Sequence, residues 1–253
     1  MLLLYILIFS ALDGLAGILG AAFVIFRWSE RKVFIKHLVS LAAGVMFAVA
    51  FFDLIPESIE AFGNVETALS LVLVGIIITY LLEKFLLWSH CHGDVCEAHR
   101  VAAPMVMVGD TFHNFLDGIT VAAAFLVNIP LGILTALAVF VHEVPQEMGD
   151  VGTLLHLGFT RKKAIMFNVI SEVIGVLGAV MVYFLGTRLD FNATILLALS
   201  AGGFIYIAGS DLLPAVHQHL EKKYLVSHAL TFIFGIILFW ILGQFFSSIG
   251  VSA

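Results

Sequence analysis

The chain has few charged residues. Only 12% of its 253 residues are Asp, Glu, Lys or Arg, whereas 61% are hydrophobic; soluble domains carry about 25% charged residues. This scarcity excludes an ordinary soluble fold. The formal net charge of -6 also excludes the clustered positive charge that nucleic-acid binding needs. The composition is typical of a multi-pass membrane protein.

Cysteine is scarce as well. The two cysteines, Cys91 and Cys96, lie in one short polar segment, so no disulfide framework is indicated. The basic region and small-residue cleavage site of a signal peptide are also missing before Asp13, so we expect the first apolar segment to be a retained helix.

Long apolar runs are abundant. A helix needs about 20 mostly apolar residues to cross roughly 30 Å of hydrocarbon. On this measure, eight helices are predicted: 2–26, 33–57, 66–88, 102–127, 130–156, 163–186, 192–214 and 227–249. The predicted fold is all-α, a polytopic membrane protein forming one transmembrane domain over residues 1–253.

Basic residues are unevenly distributed among the seven connections. Eleven of the 12 lie at the first, third, fifth and seventh connections, and Arg188 at the sixth is the exception. The eleven are Arg27, Arg31, Lys32, Lys36, Lys84, Arg100, Arg161, Lys162, Lys163, Lys222 and Lys223. By the positive-inside rule these connections are cytoplasmic. We therefore expect both termini to be extracytoplasmic. The expected location is the plasma (cell) membrane, with an organelle membrane as the alternative.

The sequence contains an internal repeat. Residues 43–56 align without gaps on residues 201–214, matching Asp53 with Asp211 and Pro56 with Pro214. An odd number of crossings separates the copies, so they run oppositely through the membrane, as inverted transporter repeats do. The predicted arrangement is 3+2+3, with helices 4 and 5 between the repeats. Shared composition of two apolar helices is the alternative explanation.

Helices 4 and 5 carry polar side chains in otherwise apolar stretches. On each helix these residues share one face, and ionisable groups within a bilayer mark a functional path. Imidazole with carboxylate suits Zn²⁺ or Fe²⁺. A satisfied buried network is the alternative. The candidate ligands are His113, Asn114, Asp117, His142, Glu143, Gln146 and Glu147, with Glu172 of helix 6, enough for two adjacent metal positions. Gly118 and Gly149 beside them are predicted to permit close helix approach.

Further polar residues indicate a route on either side of these ligands. Asp53 and Glu57 near the outer end of helix 2 would form an acidic mouth that concentrates cations. On the cytosolic side, Asp110, Asp150, His156 and Asp211 would relay the ion. Ordinary solvated helix ends are the alternative.

The third connection, residues 89–101, contains five potential metal ligands, all histidine or cysteine, in one short tract. Such Cys/His-rich tracts are typical of metal binding. The segment is therefore predicted to capture or sense metal in the cytosol, and a merely polar loop is the alternative. The five are His90, Cys91, His92, Cys96 and His99.

The segments 113–118 (His-Asn-Phe-Leu-Asp-Gly) and 142–150 (His-Glu-Val-Pro-Gln-Glu-Met-Gly-Asp) resemble the signature motifs of the ZIP (Zrt/Irt-like protein) divalent-metal transporters, especially the LIV-1 branch. The resemblance implies a binuclear metal centre formed by several of the candidate ligands on helices 4 and 5. One position departs from the motif, since its second histidine in helix 5 is Gln146 here. Amide oxygen is a poorer ligand than imidazole, so we expect one metal position to be altered.

The predicted function is secondary transport of divalent transition metals into the cytosol. Zn²⁺ is the expected substrate, with Fe²⁺, Mn²⁺ and Cd²⁺ as alternatives, and we expect no resident cofactor and no enzymatic activity. The expected partners are the metal ions and the lipid bilayer, and a homodimer is compatible with the sequence. An intramembrane metal-dependent hydrolase or protease is the rival, although the His-Glu-x-x-His pattern of zinc proteases fails at Gln146. A metal-binding sensor without transport is another.

Overall fold

Eight long helices form the protein in the computed structural model, which describes residues 1–27, 32–90, 98–189, 192–217 and 224–248. Each predicted helix is confirmed, with ends shifted by a few residues. The helices are α1 (Leu2–Arg27), α2 (32–62), α3 (Val65–His90), α4 (Ala98–Val127), α5 (Ile129–His156), α6 (Arg161–Arg188), α7 (193–217) and α8 (Leu225–Ser248).

Seven of these eight helices are long and apolar enough to cross a membrane. The exception is α4, whose apolar character is interrupted by the polar segment around His113. In the most apolar 18-residue stretch of each helix, 17% of the residues are buried in α3 and in α8, whereas 61% are buried in α2 and 56% in α5. Helices α2 and α5 therefore lie inside the bundle, while α3 and α8 expose apolar side chains suited to lipid.

Short connections end and begin helices with standard caps. Gly63 follows α2 with a φ of 61°, a conformation that glycine adopts without steric cost. Asn128 is the sole residue between α4 and α5, and its side chain accepts a hydrogen bond from the Leu131 backbone N–H at 2.8 Å. Thr160 and Asn192 cap α6 and α7 in the same way, satisfying amides that helix starts leave unpaired.

Two helices contain a π-helical turn, and the turns occupy equivalent places in the repeat. In α2, Lys32–Val49 passes through the π turn Ala50–Leu54 into Ile55–Phe62. In α7, Ala193–Ile207 passes through Ala208–Leu212 into Leu213–His217. A proline lies shortly after each turn, and proline cannot donate the regular helical hydrogen bond. A wider turn accommodates that loss while the chain stays helical.

The two halves of the chain also pack through equivalent glycines. Gly44 of α2 lies against the backbone carbonyl of Phe232 in α8, and Gly202 of α7 lies against that of Val72 in α3. A Cβ atom at either glycine would overlap the facing backbone. Gly44 and Gly202 are paired in the internal sequence repeat, so the α2–α8 and α7–α3 packings correspond. This is the relation that inverted repeats of α1–α3 and α6–α8 require.

A polar layer lies between two apolar clusters. Along α5, Val139 belongs to the larger cluster and Val151 to the smaller, and the segment between them contains the polar residues. Along α1, Ile6 belongs to the larger cluster and Val24 to the smaller. The polar side chains of helices α1, α4, α5 and α6 are thus enclosed midway along the bundle rather than at its ends.

Candidate metal centre

Two histidines and an aspartate converge between α4 and α5. The Nε2 atoms of His113 and His142 lie 3.2 Å apart. Oδ2 of Asp117 lies 3.3 Å from His113 Nε2 and 3.0 Å from His142 Nε2. Glu143 completes the group, since one ligand atom from each of the four residues lies within 4.8 Å of the others. Two imidazoles and two carboxylates at such a spacing can surround one divalent ion.

The hydrogen bonding of His142 determines which of its nitrogens can bind a metal. Its Nδ1 lies 3.0 Å from the carbonyl oxygen of Ala138, and a carbonyl only accepts hydrogen bonds, so Nδ1 carries the proton. In the neutral ring, Nε2 then presents its lone pair to His113 and Asp117. Lone pairs of a nitrogen and a carboxylate facing each other repel unless a proton or a metal cation lies between them. The backbone contact therefore orients His142 as a ligand, as outer partners of metal-bound histidines do.

A second group of carboxylates adjoins the first. Glu143, Glu147 and Glu172 place one oxygen each within 4.8 Å of one another, and Glu143 belongs to both groups. Both oxygens of Glu143 and one of Glu172 are buried without a hydrogen-bond partner. Buried carboxylates are costly unless they are paired or coordinate a metal. The arrangement suits two cation positions that share Glu143.

Amide side chains orient the carboxylates around this second group. Asn114 donates from its side-chain nitrogen to Asp110 Oδ1 at 3.0 Å, to Ser171 Oγ at 3.1 Å and to Glu147 Oε1 at 3.4 Å. Asn168 donates to the other Glu147 oxygen at 2.5 Å. Asn114 thus lies beside the ligand groups, and its amide nitrogen donates to oxygens of the surrounding side chains. These hydrogen bonds orient the neighbouring oxygens.

Small residues bring the helices of the centre together. Gly118 of α4 lies against the backbone carbonyl of Gly175 in α6, which confirms the close approach predicted for it. The same prediction for Gly149 is wrong, because a Cβ atom there would meet nothing within 4 Å. Gly149 borders a cavity instead of a helix crossing.

A cavity of about 650 Å³ reaches the first ligand group. His113 of α4 and Gln146 of α5 line it near the centre, together with Pro145, the residue before Gln146. Its other polar lining residues are Lys36, Thr79, Glu83, Asp110, Asp150, Tyr206 and Asp211. Lys36, Glu83, Asp150 and Asp211 lie toward helix ends that lead into the first, third, fifth and seventh connections. The cavity therefore extends toward the side of the protein where the basic connections lie.

The remaining predicted residues are spread over the molecule. Asp53 and Glu57 lie at the opposite end of α2, where Asn128 donates to Glu57 Oε1 at 3.2 Å and one Asp53 oxygen is buried without a partner. His156 is exposed beside Arg161 in a separate surface depression, away from the cavity that reaches His113. The loop candidates Cys91, His92 and Cys96 lie outside the described residues, and only the backbone of His90 and His99 is described.

Three polar residues at the centre were not among the predicted ligands. Asn168 and Ser171 follow no motif, and only the packing of α6 against α4 and α5 brings them to Asn114 and Glu147. Asp13 of α1 is 7% exposed and interacts electrostatically with Asp117 and Glu172. Its signal was present in the sequence as an ionisable residue inside an apolar helix.

Comparison with known proteins agrees with this geometry. The family model described as ZIP zinc transporter matches residues 1–94 and 89–243. The chain is 40% identical to human zinc transporter ZIP6 over 110 residues, 44% of this chain and 15% of ZIP6. It is 39% identical to human zinc transporter ZIP4 over 117 residues, 46% of this chain and 18% of ZIP4.

A third relative gives a similar result. Identity to zinc transporter ZIP10 of Danio rerio is 42% over 110 residues, 44% of this chain and 13% of ZIP10. The chain spans less than a fifth of the length of each of these three relatives. With the family model matching nearly all of the chain, this protein belongs to the ZIP zinc transporter family, in its LIV-1-like branch.

Proposed function

We propose that this protein is a secondary transporter that moves divalent transition metal ions, with Zn²⁺ preferred, into the cytosol. The observation that carries the proposal is the pair of ligand groups sharing Glu143, enclosed midway along the bundle and connected to a cavity. The relatives are named as zinc transporters. Ionisable groups at such a depth belong to an ion path in transporters generally.

The first cation position is formed by His113, Asp117, His142 and Glu143. Four donors of mixed imidazole and carboxylate type match the tetrahedral coordination that Zn²⁺ favours. The second position is formed by Glu143, Glu147 and Glu172, an all-oxygen set that suits harder cations better. The two positions therefore differ in preference, and the first is the one expected to select Zn²⁺.

Asn114 and Gln146 have supporting parts in this proposal. Asn114 holds Glu147 and Asp110 in place through its amide nitrogen. Gln146 lines the same cavity as His113, where its amide oxygen offers a weak ligand as the ion leaves the first position. A weak ligand at that point favours release over retention.

The cavity is the exit route in the proposed orientation. It extends toward the basic connections, which the positive-inside rule assigns to the cytosol. Asp110, Asp150 and Asp211 along its walls would attract the cation from the centre. On the far side of the centre the larger apolar cluster fills the bundle, so the conformation is open inward. Asp53 and Glu57 would then gather ions at the extracytoplasmic end, and His156 has no part in this route.

The domain organisation follows from the same proposal. Residues 1–253 would form one transmembrane domain in the plasma membrane, with both termini extracytoplasmic. Helices α1–α3 and α6–α8 are its repeats, and α4 with α5 is the metal-binding pair between them. The loop at residues 89–101 would face the cytosol and bind metal through its Cys and His residues.

A hydrolytic role is disfavoured by the position of Glu143. In zinc proteases, the glutamate of the motif is a general base rather than a ligand. Here the Glu143 carboxylate lies within both ligand groups, so a bound cation would engage it. Gln146 also stands where such an enzyme needs its second histidine.

The proposed function is tested by ⁶⁵Zn²⁺ uptake into proteoliposomes with Fe²⁺, Mn²⁺ or Cd²⁺ as competitors. We expect saturable uptake that unlabelled Zn²⁺ suppresses at lower concentration than Mn²⁺, because imidazole ligands favour zinc over manganese. Uptake should decline as the pH falls from neutral to about 5, since ligands bind metal only when deprotonated. Uptake no greater than in empty liposomes would contradict the proposal.

A further inference from the structure

Asp13 is a buried carboxylate that the two ligand groups do not include. It is the sole Asp, Glu, Lys, Arg or His of α1 before Arg27, and it is 7% exposed. Its Oδ1 atom has no hydrogen-bond partner. Within the described part of the chain, no Lys, Arg or His forms an ion pair with it. Such a group at mid-bundle is costly without a compensating cation.

Helix α1 packs directly against the second ligand group. A Cβ atom built on Gly14 would lie 3.0 Å from Glu172 Oε2, and one on Gly17 would overlap Glu172 Oε1 and come within 3.0 Å of Glu147 Cγ. Asp13, adjacent to Gly14 in the chain, interacts electrostatically with Asp117 and Glu172. Glu143 interacts electrostatically with Asp13 in turn. The Asp13 carboxylate therefore borders the centre from a fourth helix.

The unpartnered oxygens of Asp13 and Glu172 favour a cation on the α1 side of the centre. Glu172 is 6% exposed and has one oxygen, Oε1, buried without a partner. Two buried carboxylates with unpartnered oxygens repel each other, and a divalent cation between them would remove that repulsion. Oxygen ligands of this kind suit divalent ions.

We propose that Asp13 is a further metal-contacting residue, which with Glu172 forms a third position for the transported divalent cation. The inference rests on the proposed function. It adds a step in which the ion keeps one ligand as it moves to the next position, because Glu143 is common to the first and second positions and Glu172 to the second and third. Sharing a ligand at each step avoids a fully unliganded ion in the low-dielectric interior.

Replacing Asp13 with Asn tests this position with little change in shape. We expect the apparent affinity for Zn²⁺ in ⁶⁵Zn²⁺ uptake to fall by about 10-fold or more, the scale on which groups around a metal site act. The matched control is Leu12→Ala, which trims an exposed apolar side chain on the same turn and should leave uptake unchanged. An Asp13→Asn variant with the wild-type concentration dependence would overturn the proposal.

Replacing Asp13 with Cys separates metal contact from a structural role. A thiolate prefers softer metals, so the Asp13→Cys variant should favour Cd²⁺ over Zn²⁺ by about 10-fold or more relative to wild type in competition uptake. A merely structural residue would leave that ratio unchanged, which would also overturn the proposal. His142→Ala serves as the reference variant. If it takes up Zn²⁺ like the wild type, the proposed function is contradicted. If His142→Ala loses uptake while both Asp13 variants behave like the wild type, only the third position is contradicted.

Discussion

Zn²⁺ uptake by the His142→Ala variant is expected to fall to the level of empty liposomes. His142 is fully buried, and its Nδ1–H donation to the Ala138 carbonyl directs the Nε2 lone pair into the first ligand group. Alanine removes that ligand and leaves the group with three donors. Because loss of an outer partner alone weakens metal sites by roughly 10–100-fold, loss of a central ligand should exceed that range.

The control for His142→Ala is Phe140→Ala on the same helix. Phe140 is 42% exposed, so its truncation changes the lipid-facing surface rather than the centre. Both variants are measured for expression, monodispersity in detergent and ⁶⁵Zn²⁺ uptake per protein molecule. Wild-type uptake by a correctly folded His142→Ala protein would remove the first ligand group from the transport route.

Replacing Glu143 with Gln is expected to weaken Zn²⁺ binding at both positions. Glu143 is fully buried, both of its oxygens are unpartnered, and it belongs to both ligand groups. The amide keeps the shape of the side chain and removes a buried charge, so the fold should be preserved while the cation loses a shared ligand. Calorimetric titration of the purified protein should then show Zn²⁺ binding at the first and second positions weakened by at least about 10-fold each.

Glu172→Gln is the matched comparison for Glu143→Gln. Glu172 belongs to the second ligand group but not to the first, so its loss should weaken binding at the second position and spare binding at the first. The two substitutions remove the same kind of charge, so a difference between their effects would come from the membership of Glu143 in both ligand groups. Equal effects of the two substitutions at both positions would contradict two positions joined through Glu143.

The architecture could be predicted from the sequence because its signals are local. Apolar runs of spanning length mark all eight helices, and the matched Asp53 and Asp211 segments indicate the repeat. The π turns at Ala50–Leu54 and Ala208–Leu212 could not be read from that pattern. Proline predicts a disturbed helix, but the particular hydrogen bonding that replaces the regular turn depends on the packed neighbours.

The candidate site was only partly predictable for a different reason. His113 and Asp117 are one turn apart on α4. His142 and Glu143 lie on the next helix, which a single residue separates from α4, so the sequence could predict that these four residues come together. The placement of Asn168 and Asp13 depends on how α6 and α1 cross those helices, which periodicity within one helix does not determine. Gly149 illustrates the opposite error, since a small residue in an apolar helix suggested a crossing where the structure has a cavity wall.

Anomalous diffraction from crystals of the wild-type protein soaked in Zn²⁺ tests the central claim most directly. We expect a peak between α4 and α5 at about 2.0–2.2 Å from His142 Nε2 and from an Asp117 oxygen, the usual zinc–ligand distances. A second peak is expected on the other side of Glu143, toward Glu147 and Glu172. Zinc bound elsewhere on the protein, with no peak within ligand distance of His142, would contradict a metal centre between α4 and α5.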